Sequence, residues 1–123
     1  MRGLYSIAIV ALLALGVTSP ALATSSLSFE GEGYWIDMEI GHDVAPVVST
    51  VRFHRPGDRT WVTVVRRDLT VETFDTQRRI LVMHYRGSQG PDAVDPFTLS
   101  VHGEQAILGT SGRKIASRFN WEM

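Results

Sequence analysis

Hydrophobic and polar residues alternate along most of the chain beyond residue 24, which is the spacing of β-strands with one buried and one exposed face. The stretch 33–40, with the sequence GYWIDMEI, is the clearest example. One of its sides carries only tyrosine, isoleucine and methionine, whereas the other carries Trp35, Asp37 and Glu39. We therefore expect a strand that buries its first side in a core and presents its second side to solvent or to a ligand.

The same alternation, punctuated by glycine, proline and aspartate, predicts an all-β fold. Residues 27–30 are interpreted as an extension of the first strand across a flexible Gly31–Gly33, and this first strand is expected at a sheet edge. About eight short strands with tight connections are typical of a small antiparallel β-barrel or a two-sheet β-sandwich. The segments with strand character are 33–40, 47–54, 60–66, 69–75, 79–86, 97–102, 104–108 and 114–121.

The segment Arg55–Arg59, with the sequence RPGDR, is a strong turn signal between the second and third of these segments. Pairing of residue 54 with residue 60 across this turn places Phe53 opposite Trp61. That register predicts that Trp61 is a core aromatic.

A second hairpin is predicted at Asp75–Arg78, with these two residues opposite each other. This register predicts that His84 is a hydrogen-bonded core histidine, on one face with Leu69, Val71 and Val82. The longest connection is the loop 87–96, with the sequence GSQGPDAVDP. Loops of this length often carry function.

The start of the chain predicts export. A positive first segment, an apolar run at 4–17 and the small-residue site at 21–23 are typical of a secretory signal peptide. The apolar run is short for a membrane-spanning helix and no second run follows it, so we expect no transmembrane span in the mature chain. The predicted organisation is a signal peptide at 1–23 and a single all-β domain at 24–123, secreted or periplasmic. Because the sequence has no cysteine, this domain has no disulfide.

Charge argues against nucleic acid as a partner. The formal net charge is −1 at pH 7, which provides no electrostatic footprint for a polyanion. The basic doublets Arg66–Arg67 and Arg78–Arg79 are interpreted as solvated strand ends.

The four histidines do not form a close pair with metal-ligand spacing. His42, His54 and His102 each fall near a predicted strand end, and strand ends can cluster in space. A copper or zinc site built from these three residues is therefore an alternative hypothesis. The leading expectation is no native metal and no cofactor.

Asp37 and Glu39 share a strand face, and a pair of carboxylates is what glycoside hydrolysis uses. Catalytic carboxylates normally need unequal environments, whereas charges on an edge strand discourage pairing with another chain. A hydrolase of envelope glycans that uses Asp37 or Glu39 is a second alternative. The leading prediction has no catalytic residue.

Small size, export and the lack of a catalytic motif favour a non-enzymatic binding domain. Its predicted contact residues are Trp35, Asp37 and Glu39 on one sheet face, with the loop 87–96 as a further contact. Trp35 is the strongest single candidate because the alternation puts its ring on the polar side. The partner is expected to be a protein or a small molecule, and a homodimer is compatible with the pattern.

Overall fold

The computed structural model describes residues 25–90 and 93–122, so the predicted signal peptide lies outside the described residues. Over these described residues the all-β prediction is confirmed, and one 3-10 turn at Arg66–Asp68 interrupts the strands. In the described part of the chain, no helix is long and apolar enough to cross a membrane. The nine strands are β1 (Ser25–Gly31), β2 (Tyr34–His42), β3 (Pro46–His54), β4 (Val62–Thr63), β5 (Leu69–Asp75), β6 (Ile80–Tyr85), β7 (Phe97–His102), β8 (Gln105–Thr110) and β9 (Arg113–Glu122).

These strands form one antiparallel sheet in the order β4-β3-β2-β1-β9-β8-β7-β6-β5, curled into a half-barrel. Two meanders, β1 to β4 and β5 to β9, are joined where the first strand pairs with the last. The start of β9 pairs with β8 from Arg113 to Arg118, and its end pairs with β1 from Phe119 to Glu122. The sheet edges are β4 and β5.

The core lies on the inner side of this curled sheet. Phe53 on β3 stacks on Phe97 on β7, with ring centroids 5.0 Å apart and an interplanar angle of 5°. These two strands come from opposite halves of the sheet, so the contact joins the two meanders through their side chains. Burial of each large apolar side chain contributes about 1.5–3 kcal/mol. The largest fully buried side chains are Phe29, Phe53, Leu27, Ile36, Met38, Leu81, Met83, Leu99, Leu108 and Ile115.

Residues 27–30 belong to a strand of their own, so their interpretation as an extension of β2 is wrong. The two-residue turn Glu32–Gly33 has φ angles of 48° and 86°, which is the geometry of a tight hairpin that matches strand twist. β1 consequently folds back along β2, and β2 lies between β1 and β3 instead of at an edge. The carboxylates of β2 are therefore not edge charges.

The predicted register after the Arg55–Arg59 turn is wrong by one residue. Phe53 pairs with Val62, not with Trp61. Because strand side chains alternate between faces, this shift moves Trp61 from the core to the outer side of the sheet. Trp61 is 38% exposed.

The register of the second hairpin is also shifted, so the predicted core position of His84 is wrong. Asp75 pairs with Ile80, and an irregularity between Val71 and Thr73 changes the pairing of β5 with β6. His84 lies on the outer face, where Nε2 donates to the Glu72 carboxylate at 2.7 Å.

The loop 87–96 is tied to the turn that follows β3. Arg55 donates from Nη1 to the backbone oxygen of Ala93 at 2.5 Å. Asp58 holds Arg55 by accepting from its backbone nitrogen at 2.8 Å and from its Nε at 2.9 Å. Val94 is buried in the core, which fixes the loop from its other side. The loop and the β3–β4 turn therefore form one connected region.

The register of β3 and β4 can be tested by two alanine substitutions. Phe53→Ala should lower the free energy of unfolding by about 3–5 kcal/mol, because it removes a fully buried ring. Trp61→Ala should lower it by only about 1–2 kcal/mol, since Trp61 packs on the outer surface. Urea denaturation of both variants measures the difference, and a larger cost for Trp61→Ala would support the register predicted from sequence.

The Arg55–Asp58 pair predicts a pH dependence. The hydrogen bond from the Arg55 side chain lowers the pKa of the Asp58 carboxyl below its usual range. A carboxylate with a lowered folded-state pKa stabilises the fold above its unfolded pKa, and this stabilisation is lost as the pH falls through the folded value. Asp58→Asn should therefore lower the free energy of unfolding at pH 7 by about 1 kcal/mol. When the pH is lowered from 7 to below about 4, the variant should lose less stability than wild type does.

Urea midpoints at pH 7, 5 and 3 measure this effect. Asp43→Asn, at an exposed position, is the matched control and should follow the wild-type pH profile. Identical profiles for Asp58→Asn and wild type would contradict the assigned role of the pair.

Candidate functional site

The outer face of β2 and β3 carries a cluster of aromatic rings, which we call the tryptophan corner: Trp35, His54 and Trp61. Trp35 is 41% exposed, and its ring meets Trp61 nearly at a right angle, 88°, with centroids 5.9 Å apart. His54 pairs with Trp35 across the strands, and its ring centroid lies 5.3 Å from that of Trp61. Together the three rings line a groove of about 360 Å³.

Local sequence explains why Trp61 lies there. The turn after β3 contains proline and glycine, and β4 pairs over only two residues, Val62 and Thr63. Trp61 precedes this short strand and packs against side chains on the outer face of β3. The Arg52 guanidinium carbon lies 5.4 Å from the Trp61 ring centroid, within the range of a cation–π contact.

Asp37 holds this arrangement from β2. Arg52 Nη2 donates to Asp37 Oδ2 at 2.5 Å, directly across the β2–β3 pair. The ion pair is partly exposed, so its net contribution to stability is modest, about 0–1 kcal/mol. Its main effect is geometric, because it fixes the Arg52 side chain that contacts Trp61.

Glu39 lies further along the same face. It pairs with Ser26 on β1 and with Thr50 on β3, and its side chain is exposed. Glu39 therefore adds negative charge to the face without a fixed partner in the described residues.

His54 has one unusual atom. Its Nδ1 is buried and has no hydrogen-bond partner among the described residues. Buried polar atoms are nearly always paired, because leaving one unpaired costs roughly 1–3 kcal/mol. This nitrogen belongs to one of the three rings that line the groove.

The three histidines of the metal hypothesis are not brought together. His42 lies at the end of β2, whereas His54 pairs with Trp35 at the opposite end of that strand. Seven residues separate those ends, roughly 23 Å of strand. His102 pairs with Ile80 in the other half of the sheet. Within 25–90 and 93–122, no group of three or more histidine, aspartate or glutamate residues is placed to hold a metal ion.

Neither carboxylate of the hydrolase hypothesis faces another carboxylate across the strands. Asp37 lies opposite Ser28 on β1 and Arg52 on β3. Glu39 lies opposite serine and threonine. The geometry thus gives Asp37 a structural partner rather than an acid–base partner.

The loop 87–96 lies next to the corner. Ser88 and Gln89 line a second groove of about 410 Å³ together with Thr60, Trp61 and the outer side of β4. Trp61 thus lines both grooves. The structure connects the strand face and the loop, which sequence reasoning selected separately.

The outer face of the other half carries a third groove, which is larger and more apolar. It has a volume of about 770 Å³, and Ile107 within it is 47% exposed. Its apolar and small lining residues include Ile80, Val82, Ser100, Ile107 and Ala116.

Sequence reasoning selected Trp35, considered His54 only as a metal ligand, and missed Arg52 and Trp61. A signal for Arg52 and His54 was present, because they alternate onto the same outer face of the predicted second strand. Trp61 was missed because its face depends on the register after the turn.

Comparison of the chain with protein-family models, with curated proteins and with solved structures found no match in any of the three.

Proposed function

We propose that this chain is an exported, non-enzymatic binding protein whose contact surface is the tryptophan corner. The observation that carries the proposal is the pair of partly exposed tryptophan rings held at a right angle on one sheet face. Tryptophan is among the residues that contribute most to binding when a partner covers it. Covering the exposed parts of Trp35 and Trp61 would remove a large apolar area from water.

Pre-organisation supports the same proposal. Trp61 contacts Trp35, His54 and the guanidinium of Arg52, and Asp37 fixes that guanidinium. A ring that is already held in place loses little conformational entropy when a ligand arrives. The corner is therefore suited to binding without a large rearrangement.

The surrounding charges define the rim of this surface. Asp37 acts by positioning Arg52, while the exposed carboxylate of Glu39 contributes to the field at the surface. Charged groups at a rim mainly affect association rate and partner choice. Ser88 and Gln89 of the loop 87–96 line the neighbouring groove, which shares Trp61 with the corner.

A fragment screen read by NMR tests where the protein binds. The three tryptophans supply three indole N–H signals in ¹⁵N-labelled protein. Fragments should shift the signals of Trp35 and Trp61 and leave that of Trp121 in place, because Trp121 Nε1 donates to the Gly103 oxygen away from the corner. Hits confined to the Ile107 groove, or no hits at the corner, would contradict the proposal.

Substitution of Trp35 tests the same surface, while binding is read from the Trp61 signal. Trp35→Ala should weaken the fragments that shift the Trp61 signal by at least tenfold, about 1.4 kcal/mol, while unfolding changes little. Ile107→Ala removes an exposed apolar side chain from the other half of the sheet and serves as the matched control. Equal binding by wild type and Trp35→Ala would show that Trp35 is not part of the contact surface.

A further inference from the structure

We propose that the tryptophan corner binds a methylated or quaternary ammonium group, an inference that rests on the proposed function and names its ligand class. The motivating juxtaposition is three aromatic rings around one groove, with the exposed carboxylate of Glu30 on the strand beside Trp35.

The walls of the groove are suited to a cation. Trp35 and Trp61 stand at 88° to each other, and the His54 ring is inclined at 51° to Trp61. A cation next to such rings is attracted by the negative charge density of their faces. Several rings meeting at an angle can surround a rounded group, whereas a flat ligand would stack on one ring alone.

The groove also discriminates between kinds of cation. Its lining is Trp35, His54 and Trp61, which offers no carboxylate and at most one imidazole nitrogen as a hydrogen-bond acceptor. A primary ammonium has three N–H donors, most of which would lose their hydrogen bonds on entering. A methylated ammonium has fewer donors, and a quaternary one has none, so its desolvation costs less.

One ring of the tryptophan corner already contacts a cation within the protein. The Arg52 guanidinium lies over the Trp61 ring and is neutralised by Asp37. The ring thus makes a cation–π contact within the fold, and the Asp37 partner keeps that positive charge from opposing a second cation.

Two carboxylates without an ion-pair partner among the described residues also lie on this half of the sheet, where the Arg66 guanidinium bonds to the backbone oxygen of Ser49. Glu30 on β1 pairs directly with Trp35, and Glu39 lies four residues beyond Trp35 on β2. Both side chains are exposed, and in the described part of the chain neither takes part in an ion pair. Of the two, Glu30 lies nearer to the corner, and its carboxylate would raise the local concentration of cations there at low salt.

Choline chloride is a suitable probe, and 3,3-dimethyl-1-butanol is its uncharged isostere. At low ionic strength, choline should shift the indole signals of Trp35 and Trp61 in a saturable manner while that of Trp121 stays in place. The uncharged isostere should bind about tenfold more weakly, because it has the same shape without the charge. Equal binding of the two probes would overturn the inference.

Variants separate the contributions of rings and charge. Trp61→Ala should abolish the saturable response, and the double variant Glu30→Gln with Glu39→Gln should weaken choline by several fold at low salt. Glu72→Gln removes one carboxylate from β5, in the other half of the sheet, and is the control, with unchanged binding expected. Choline binding that is insensitive to the double variant and to salt would also overturn the inference.

The fragment screen distinguishes the failure of this inference from the failure of the proposed function. If only uncharged fragments or oligosaccharides bind at the corner, the cation inference fails and the binding surface stands. If neither choline nor any fragment shifts Trp35 or Trp61, both fail.

Discussion

The pairing of β1 with β9 is the interaction on which the rest of the structure depends. Four residue pairs, from Ser26 with Glu122 to Phe29 with Phe119, join two meanders whose described strands have no other backbone pairing with each other. Because this junction makes one curled sheet of both halves, Phe53 can stack on Phe97 and complete the core. Without disulfides, backbone pairing and packing of this kind must supply the stability of the fold.

The position of the tryptophan corner depends on this curled sheet. β2 is held on both sides by β1 and β3, so Trp35 and Asp37 have fixed positions on its outer face. Asp37 positions Arg52, Arg52 contacts Trp61, and Trp61 completes the corner with Trp35. A small register change at β4 would move Trp61 away and dismantle the surface, whereas the core would keep most of its contacts.

Local periodicity predicted what depends on neighbouring residues, such as the all-β class and the outward position of Trp35. It failed where turn geometry or long-range pairing determines the strand boundaries, the register and the strand order. Glu32–Gly33 is a less typical hairpin turn than Asn-Gly, so β1 was not separated from β2. A one-residue register error put Trp61 in the core, and an irregularity in β5 did the same for His84. The junction of first and last strands has no local signal, so the half-barrel could not be derived from the pattern.

The position of Trp61 is the central claim, and nuclear Overhauser effects between aromatic side chains measure it most directly. The account predicts cross-peaks between the indole protons of Trp61 and those of Trp35, together with cross-peaks from Trp61 to His54. It predicts none from Trp61 to the ring of Phe97, which lies in the core against Phe53. Cross-peaks from Trp61 to Phe97, without any to Trp35, would place Trp61 in the core and contradict both the register and the binding surface.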